Sequence, residues 1–126
     1  MIAGIGIDVI EVSRIRDVLA RYGDGFLGHV FTDVEREGAP QALSAAASYY
    51  AGRWSAKEAV AKALGTGIGG ECGWKDIEIV RWPSGQPVVE LSGAGKRTAE
   101  RLGIHHVHLT ISHEKMLACA SAVAER

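Results

Sequence analysis

The chain has 126 residues, enough to bury one hydrophobic core and too few for two ordinary domains. Lys and Arg number 14 and Asp and Glu number 15, so the formal net charge is −1. A chain so close to neutrality carries no broad basic surface, and we therefore expect neither a nucleic acid nor an anionic membrane as its partner. We expect residues 1–126 to form a single domain.

The cysteines and the N-terminal segment bear on the compartment. Cys72 and Cys119 are far apart in the sequence and belong to no CxxC pattern. The chain does not begin with the cationic, apolar and small-residue segments of a secretory leader, and no run approaches the ~18 apolar residues of a membrane span. We therefore expect reduced thiols and a cytoplasmic protein.

The first predicted element is a strand over residues 2–9. Alternation puts Ile7 and Val9 on one face and Asp8 on the other, where the glycines at positions 4 and 6 clear space. Asp8 has two interpretations. It could line a functional site, or it could cap the following helix, because Glu11 stands three residues later as in a capping box.

A helix is predicted from Ser13 to about Tyr22. Its inward apolar stripe consists of Ile15, Val18, Leu19 and Tyr22. Arg14 and Arg21 lie about two turns apart on the other side, where arginines usually mark only a solvated face. Glycines at positions 23 and 25 end the helix.

Short helical turns are predicted next, at residues 26–31 and after Thr32. Thr32 is a good N-cap with Glu35 at the third helical position, the pattern of a capping box. Pro40 marks the entry to the longest predicted helix, which covers roughly residues 41–64.

The long helix has two dissimilar faces. An apolar stripe with i, i+3, i+4, i+7 and i+8 spacing consists of Ala56, Ala59, Val60, Ala63 and Leu64. The opposite face has too few charges for a solvated surface, and we expect it to receive another group; it holds Trp54, Glu58, Ala61, Lys62 and Gly65. Glu58 and Lys62 could instead form an i,i+4 surface ion pair worth about 0.3–0.5 kcal/mol. Gly65 suits the left-handed position that ends a helix, and a flexible loop follows.

The C-terminal half is predicted to contain a hairpin, a helix and two further strands. The hairpin pairs residues 75–82 with 87–91 about a turn at 83–86, the helix covers 92–102, and the strands cover 105–112 and 116–124. Helices and mainly antiparallel strands mix without a βαβ repeat. We therefore predict a small α+β fold in which a mainly antiparallel sheet packs on the long helix.

Four histidines are candidates for chemistry. His106 and His108 share a strand face, as zinc ligands two apart must, but neither His105 nor any other residue supplies a third ligand of suitable spacing. We expect these three rings to be partly buried or at an interface. His113, at the end of the same strand, could act as a general base, bind phosphate or hydrogen-bond a turn.

These motifs together resemble the holo-[acyl-carrier-protein] synthase family, whose fold is the 4′-phosphopantetheinyl transferase fold. The pattern runs from Gly4 to the alanine-rich C-terminal end and skips residues 37–50. The matching residues are Gly4, Gly6, Asp8, Glu11, Arg14, Ile15, Phe31, Glu35, Arg53, Trp54, Lys57, Glu58, Lys62, Gly65, Gly67, Trp74, Asp76, Glu78, Ser112 and His113.

The resemblance implies transfer of the 4′-phosphopantetheine arm of coenzyme A to a serine of apo acyl-carrier protein, releasing adenosine 3′,5′-bisphosphate. Under it, Asp8 and Glu58 are the carboxylates for Mg²⁺, an ion typically held by one or two carboxylates plus substrate phosphates. Lys62 could reach the same phosphates and stabilise the departing oxygen. The residues expected to bind coenzyme A are Arg53, Lys62, Gly65, Thr66, Gly67 and His113. Two acceptors for the serine proton stay open. One is a metal-bound water oriented by Asp8, and the other is Glu58 itself.

The resemblance also implies partners. The family usually forms a homotrimer with sites between protomers, and the predicted strands 105–112 and 116–124 could line that interface. Arg14 and Arg21 would then form a docking strip for an acidic carrier protein of fatty acid biosynthesis. Two other classes stay open, a coenzyme A-binding module without transferase activity and a purely structural trimer.

Overall fold

A computed structural model describes all 126 residues of the chain. Its elements, in chain order, are β1 (Ile2–Glu11), α1 (Val12–Tyr22), α2 (Asp24–Val30), α3 (Asp33–Glu37), α4 (Leu43–Ala63), a 3₁₀ turn (Trp74–Asp76), β2 (Ile77–Arg81), β3 (Pro87–Leu91), α5 (Gly93–Arg101), β4 (His106–His113) and β5 (Leu117–Glu125). The α+β prediction is confirmed, and most predicted boundaries lie within two residues of the observed ones. No helix has a stretch long and apolar enough to cross a membrane.

The strands form two antiparallel sheets. One has the order β1-β5-β4, and the other is the predicted hairpin of β2 and β3. In the three-stranded sheet, Asp8 lies opposite Ala120, and Ala120 lies opposite Ile111 of β4. The inner face of β5 carries only small side chains, all of them buried: Ala118, Ala120, Ala122 and Ala124. This smooth surface lets α4 lie close against the sheet.

The glycines of β1 bring the strand against the helix backbone. A Cβ atom on Gly4 would collide with the carbonyl oxygen of Ala63, and a Cβ atom on Gly6 would collide with that of Ala59. The space that these glycines clear is therefore filled by α4, and no side chain could replace them without moving the helix. This close contact places Asp8 beside the second half of α4.

Helix α4 is central, with buried residues on nearly every side. The predicted core stripe is confirmed, since all five of its residues are buried. On the opposite face Ala61 is fully buried, in line with the small number of charges there, and Arg53, Ser55 and Lys57 elsewhere on α4 are buried as well. Thirteen of the 21 residues of α4 are buried, so the helix has no broad face left for solvent.

Two local predictions about the N-terminal half have opposite outcomes. The capping box at α3 is confirmed, with the Glu35 amide donating to Thr32 Oγ1 and the Thr32 amide donating to Glu35 Oε1. The inward orientation of Tyr22 is wrong. Tyr22 is 61% exposed, whereas Ile15 of the same predicted stripe is buried. Tyr22 is the last residue of α1, directly before the C-cap Gly23.

The outer face of the three-stranded sheet is apolar along one edge. Ile5, Ile7 and Val9 of β1 are 72%, 65% and 57% exposed. On β4 the outward residues are polar and exposed: His106, His108, Thr110 and Ser112. The exposed apolar surface along this edge therefore belongs to β1. The three histidines at 105, 106 and 108 are exposed and not partly buried.

Candidate active site

Asp8 lies inside β1 and faces α4. Its side chain is 12% exposed, and its Oδ2 atom is buried without a hydrogen-bond partner. The capping interpretation is wrong, because the N-cap of α1 is Glu11 and no side chain caps that helix end. An unpartnered buried carboxylate oxygen costs free energy, so this position favours a ligand that brings positive charge.

Glu58 and Lys62 of α4 complete a group around Asp8. Lys62 Nζ lies 3.4 Å from Asp8 Oδ1 and donates a hydrogen bond to the Ile7 carbonyl oxygen at 3.0 Å. The surface ion pair between Glu58 and Lys62 is absent, because Lys62 pairs with Asp8 instead. Burial raises the pKa of Glu58, the charge of Asp8 raises it further, and Lys62 acts in the opposite direction.

Asp8, Glu58 and Lys62 form one group, which we call the carboxylate pair after its two acidic residues. This group fits a hard cation. Negative charge is in excess, one carboxylate oxygen has no partner, and the second carboxylate has a raised pKa. Mg²⁺ suits such a site because it retains water and takes one or two carboxylates with substrate phosphates. No cluster of three or more His, Cys, Asp or Glu side chains could hold a metal alone. Water and substrate oxygens would therefore complete the coordination.

The loop that follows α4 begins just after Lys62, because the helix ends at Ala63. Gly65 and Gly67 have φ of 83° and 66°, so Gly65 takes the left-handed position that its sequence predicts. A Cβ atom at either glycine would meet no atom within 4 Å, and both therefore border open space. The amides of Thr66 and Gly67 already donate to the Ala61 carbonyl oxygen. A ligand could approach the open side of this loop without using those two amides.

A second candidate region is a cavity of about 300 Å³ beside the first half of α4. Its basic side chains are Arg53, Arg81 and His113. We call this region the basic cavity. Arg53 is buried, its Nε has no partner, and its guanidinium carbon lies 3.7 Å from the ring centroid of Tyr49. Burial lowers the pKa of Arg53, but a guanidinium stays charged in proteins. The cavity suits a phosphate group.

Helix α4 separates the carboxylate pair from the basic cavity within one chain. Asp8 is on β1 and His113 is on β4, and β5 lies between these two strands. Adjacent strands are about 4.8 Å apart, so the edges are roughly 10 Å apart. Arg53 and Glu58 are five positions apart on α4, and at about 100° per residue they point ~140° apart. The structure thus brings the predicted residues together as two groups and not one.

Sequence reasoning missed a buried ion pair next to both groups. Lys57 Nζ lies 2.7 Å from Glu35 Oε1, and both side chains are fully buried. The capping motif predicted only the local role of Glu35, and nothing in the spacing links it to Lys57. Arg81 was also missed, because the turn of the hairpin decides where it lies. The only available signal was a lysine among the alanines of a buried helix.

The remaining predicted residues, Arg14 and Arg21, are exposed on α1. Neither takes part in an ion pair. They are therefore free to meet negative charge on a partner.

The chain is similar to known proteins over nearly its whole length. Residues 4–120 match the 4′-phosphopantetheinyl transferase superfamily. The holo-[acyl-carrier-protein] synthase of Desulforudis audaxviator is 49% identical over 124 residues, which cover 98% of this chain and 93% of that protein. The crystal structure of the Neisseria meningitidis holo-[acyl-carrier-protein] synthase is similar with a TM-score of 0.91 and 37% identity, and all of both chains is covered. The Helicobacter pylori synthase in complex with coenzyme A has a TM-score of 0.85 and 30% identity, covering 96% of this chain and 99% of that one.

Matches over nearly the whole length establish the family. The chain belongs to the 4′-phosphopantetheinyl transferase superfamily and is an enzyme of that class. The resemblance and the fold predicted from the sequence are confirmed.

Proposed function

We propose that the chain transfers the 4′-phosphopantetheine group of coenzyme A to a serine hydroxyl of apo acyl-carrier protein, with Mg²⁺, and releases adenosine 3′,5′-bisphosphate. The observation that carries the proposal is the carboxylate pair, in which Asp8 retains a buried, unpartnered oxygen beside Glu58 and Lys62. Similar proteins named holo-[acyl-carrier-protein] synthase, one of them bound to coenzyme A, support it.

Asp8 and Glu58 are the residues that would hold the ion. When bound, Mg²⁺ neutralises charge on the pyrophosphate and favours in-line attack. The serine oxygen forms a bond to the phosphorus that carries the pantetheine arm, and the bond from that phosphorus to the bridging oxygen breaks. Glu58, with its raised pKa, is the protein base on this side, and water oriented by Asp8 is the alternative acceptor of the serine proton.

Lys62 would stabilise the leaving group. Its side chain is 49% exposed and loosely paired with Asp8 at 3.4 Å, so its amine can turn to a phosphate oxygen. Positive charge near the departing oxygen is worth most where charge develops in the transition state. The open side of the loop at Gly65 and Gly67 would lie along the nucleotide.

The basic cavity would bind a phosphate of coenzyme A through Arg53, Arg81 and His113. Because α4 stands between this cavity and the carboxylate pair, we propose that one coenzyme A molecule contacts the carboxylate pair of one protomer and the basic cavity of another. The exposed apolar edge of β1, formed by Ile5, Ile7 and Val9, supports association of copies. We propose a homotrimer on this basis, with the outer sheet face turned toward its neighbours. The two free cysteines, Cys72 and Cys119, support a cytoplasmic location.

Arg14 and Arg21 would contact the carrier. Exposed arginines without intramolecular partners suit a rim contact with an acidic protein, which affects association more than chemistry. We propose that this side of α1 forms the carrier-docking strip.

An intact-mass assay tests the central proposal. The protein is incubated with apo acyl-carrier protein and coenzyme A, with Mg²⁺ or with EDTA, and the carrier is weighed. We expect the mass of one phosphopantetheine group to be added only with Mg²⁺. Binding of coenzyme A without any mass gain would favour the binding-module alternative, and neither binding nor transfer would favour a structural role.

A mixing experiment tests the shared site. Asp8→Asn and Arg53→Ala chains are each expected to be inactive alone. Refolded together, they should regain activity, because some sites then combine an intact carboxylate pair with an intact basic cavity. Continued inactivity of a correctly assembled mixture would place both groups in one protomer's site.

A further inference from the structure

The Glu35–Lys57 ion pair is fully satisfied by its surroundings. Lys57 Nζ meets three acceptors, namely Glu35 Oε1 at 2.7 Å, the Val30 carbonyl oxygen at 2.8 Å and the Trp74 carbonyl oxygen at 3.0 Å. These acceptors belong to three separate segments, α3, the end of α2 and the 3₁₀ turn. One side chain of α4 thus joins the 30–35 region and the 3₁₀ turn, which are both distant from it in sequence.

Glu35 extends the network to a fourth part of the chain. Its Oε2 accepts a hydrogen bond from the Ile79 amide of β2 at 2.8 Å, while Oε1 accepts from the Thr32 amide at 2.9 Å. Burial lowers the pKa of Lys57, and the charge of Glu35 opposes that shift. Every charged atom of the pair therefore has a partner inside the protein.

The pair also touches the supports of both substrate-facing groups. Lys57 directly precedes Glu58 in α4. Trp74, whose carbonyl oxygen accepts from Lys57, packs against Trp54 with ring centroids 5.3 Å apart. Trp54 lies one helical turn before Glu58. On the other side, Tyr49 donates its hydroxyl hydrogen bond to the Glu35 carbonyl oxygen. The ring of Tyr49 lies under the Arg53 guanidinium of the basic cavity.

Stability alone does not account for such a pair. Desolvation of two charges often cancels their attraction, and well-packed apolar residues of similar volume can be equally stable or more so. Fixed orientation is what a saturated, geometrically constrained network adds. The network here reaches Glu58 through the backbone of α4 and reaches Arg53 through Tyr49.

We infer that Glu35 and Lys57 are positioning residues that hold the carboxylate pair and the basic cavity in their working geometry. The inference rests on the proposed function, and it concerns residues that touch neither substrate nor metal. Its distinctive consequence is on binding of Mg²⁺ with coenzyme A, and not only on folding.

The test compares a variant without the pair with a variant that is weakened elsewhere. Glu35→Gln combined with Lys57→Met removes both charges and keeps an acceptor for Ile79. Ile104→Ala removes buried side-chain volume between α5 and β4, away from both groups. Coenzyme A binding is measured by calorimetry with Mg²⁺ and with EDTA, at a temperature where thermal unfolding shows each variant folded, and the Mg²⁺ dependence of transfer is measured in parallel.

Mg²⁺ raises the affinity of the wild type for coenzyme A by a certain factor, and we expect that factor to be at least tenfold smaller in the double variant. The double variant should also need correspondingly more Mg²⁺ for transfer. Ile104→Ala should keep both within twofold of the wild type. A double variant within twofold of the wild type, or an equal loss in Ile104→Ala, would overturn the inference. If the double variant does not fold, Glu35→Gln with Lys57→Gln, which also removes both charges but keeps a side-chain N–H donor at position 57, is judged by the same limits. Failure of the wild type to bind coenzyme A with Mg²⁺ would overturn the proposed function and this inference together, whereas a normal wild type isolates the positioning role.

Discussion

Helix α4 carries two lysines that each face a carboxylate, and the two pairs differ in how completely the protein satisfies them. Lys57 and Glu35 are fully buried, 2.7 Å apart, and saturated by backbone groups. Lys62 and Asp8 are 3.4 Å apart and partly exposed, and one oxygen of Asp8 has no partner. The chemical groups are the same, but only the second pair has capacity left for a ligand.

The difference shows where to look for function in this fold. A saturated buried pair can fix geometry but cannot bind anything further, whereas an unsaturated pair costs free energy until a ligand arrives. The raised pKa of Glu58 reflects the same cost, since burial and the charge of Asp8 both disfavour its ionised form. Substitutions in the two pairs should therefore separate loss of activity from loss of stability.

The largest expected effect is the loss of transfer when either acidic residue of the carboxylate pair is replaced. Asp8→Asn and Glu58→Gln should each lower transfer by roughly 10³-fold, because loss of a metal ligand removes several kcal/mol of transition-state stabilisation. The free energy of unfolding without metal should change by no more than about 1 kcal/mol, because each change removes the repulsion between Asp8 and Glu58, and Asp8→Asn loses only the partly exposed pair with Lys62. Mass spectrometry of the carrier and urea unfolding measure the two quantities. Activity within a few-fold of the wild type at saturating Mg²⁺ would contradict the metal assignment.

The saturated pair should show the reverse pattern in stability. Lys57→Met leaves Glu35 buried without a counter-charge and should lower the free energy of unfolding by about 3–5 kcal/mol. Adding Glu35→Gln should recover part of that loss, since the uncompensated charge is gone. Lys62→Met, at a partly exposed pair, should cost no more than about 1 kcal/mol. Equal losses for Lys57→Met and Lys62→Met in urea unfolding would remove the distinction between the pairs.

Sequence patterns predicted the elements, and they drew attention to the residues of the carboxylate pair, for identifiable reasons. Alternation in β1 and the i, i+3, i+4 stripe of α4 are local, so the strand and the helix could be placed from neighbouring residues. Asp8, Glu58 and Lys62 were singled out because they interrupt faces that packing alone would leave apolar or evenly charged. The contact between them depends on Gly4 and Gly6, whose role against the α4 backbone only the structure reveals.

Long-range contacts explain most of what the sequence did not predict. Lys57 of α4 pairs with Glu35 of α3, and no periodic pattern in the sequence indicates that contact. Arg81 reaches the basic cavity only because the hairpin of β2 and β3 returns beside α4. Ala61 lies opposite the core stripe of α4, and it is buried because several elements surround the helix. Tyr22 fits the inward stripe of α1 but lies where the helix has no neighbour to cover it.

A smaller effect is expected for Lys62 in catalysis. Lys62→Ala should lower kcat by roughly 10- to 100-fold, the equivalent of a charged hydrogen bond worth about 1.5–3 kcal/mol, and change KM for coenzyme A little. Steady-state kinetics at saturating Mg²⁺ measures both constants. Lys96→Ala, at an exposed lysine of α5, is the matched control. A rise in KM without a fall in kcat would make Lys62 a binding residue only.

The smallest effect concerns charges that pair with nothing inside the chain. Arg14 and Arg21 are exposed and outside every ion pair, so a carrier protein would be their first counter-charge. Exposed pairs contribute about 0.2–1 kcal/mol each, so two of them correspond to roughly a two- to thirtyfold change in kcat/KM for the carrier at low salt. Added salt screens such contacts, because the Debye length is only about 10 Å at 0.1 M.

Charge reversal at both positions, Arg14→Glu with Arg21→Glu, should therefore slow carrier modification at low salt and remove much of its salt dependence, while KM for coenzyme A stays unchanged. The measurement is kcat/KM for the carrier over a salt series. Lys96→Glu with Arg97→Glu changes the net charge equally on α5 and should preserve the salt slope, which separates a local contact from the field of the whole protein. If both double variants have the wild-type slope, the carrier docks elsewhere. If both flatten it equally, overall charge and not the α1 strip attracts the carrier.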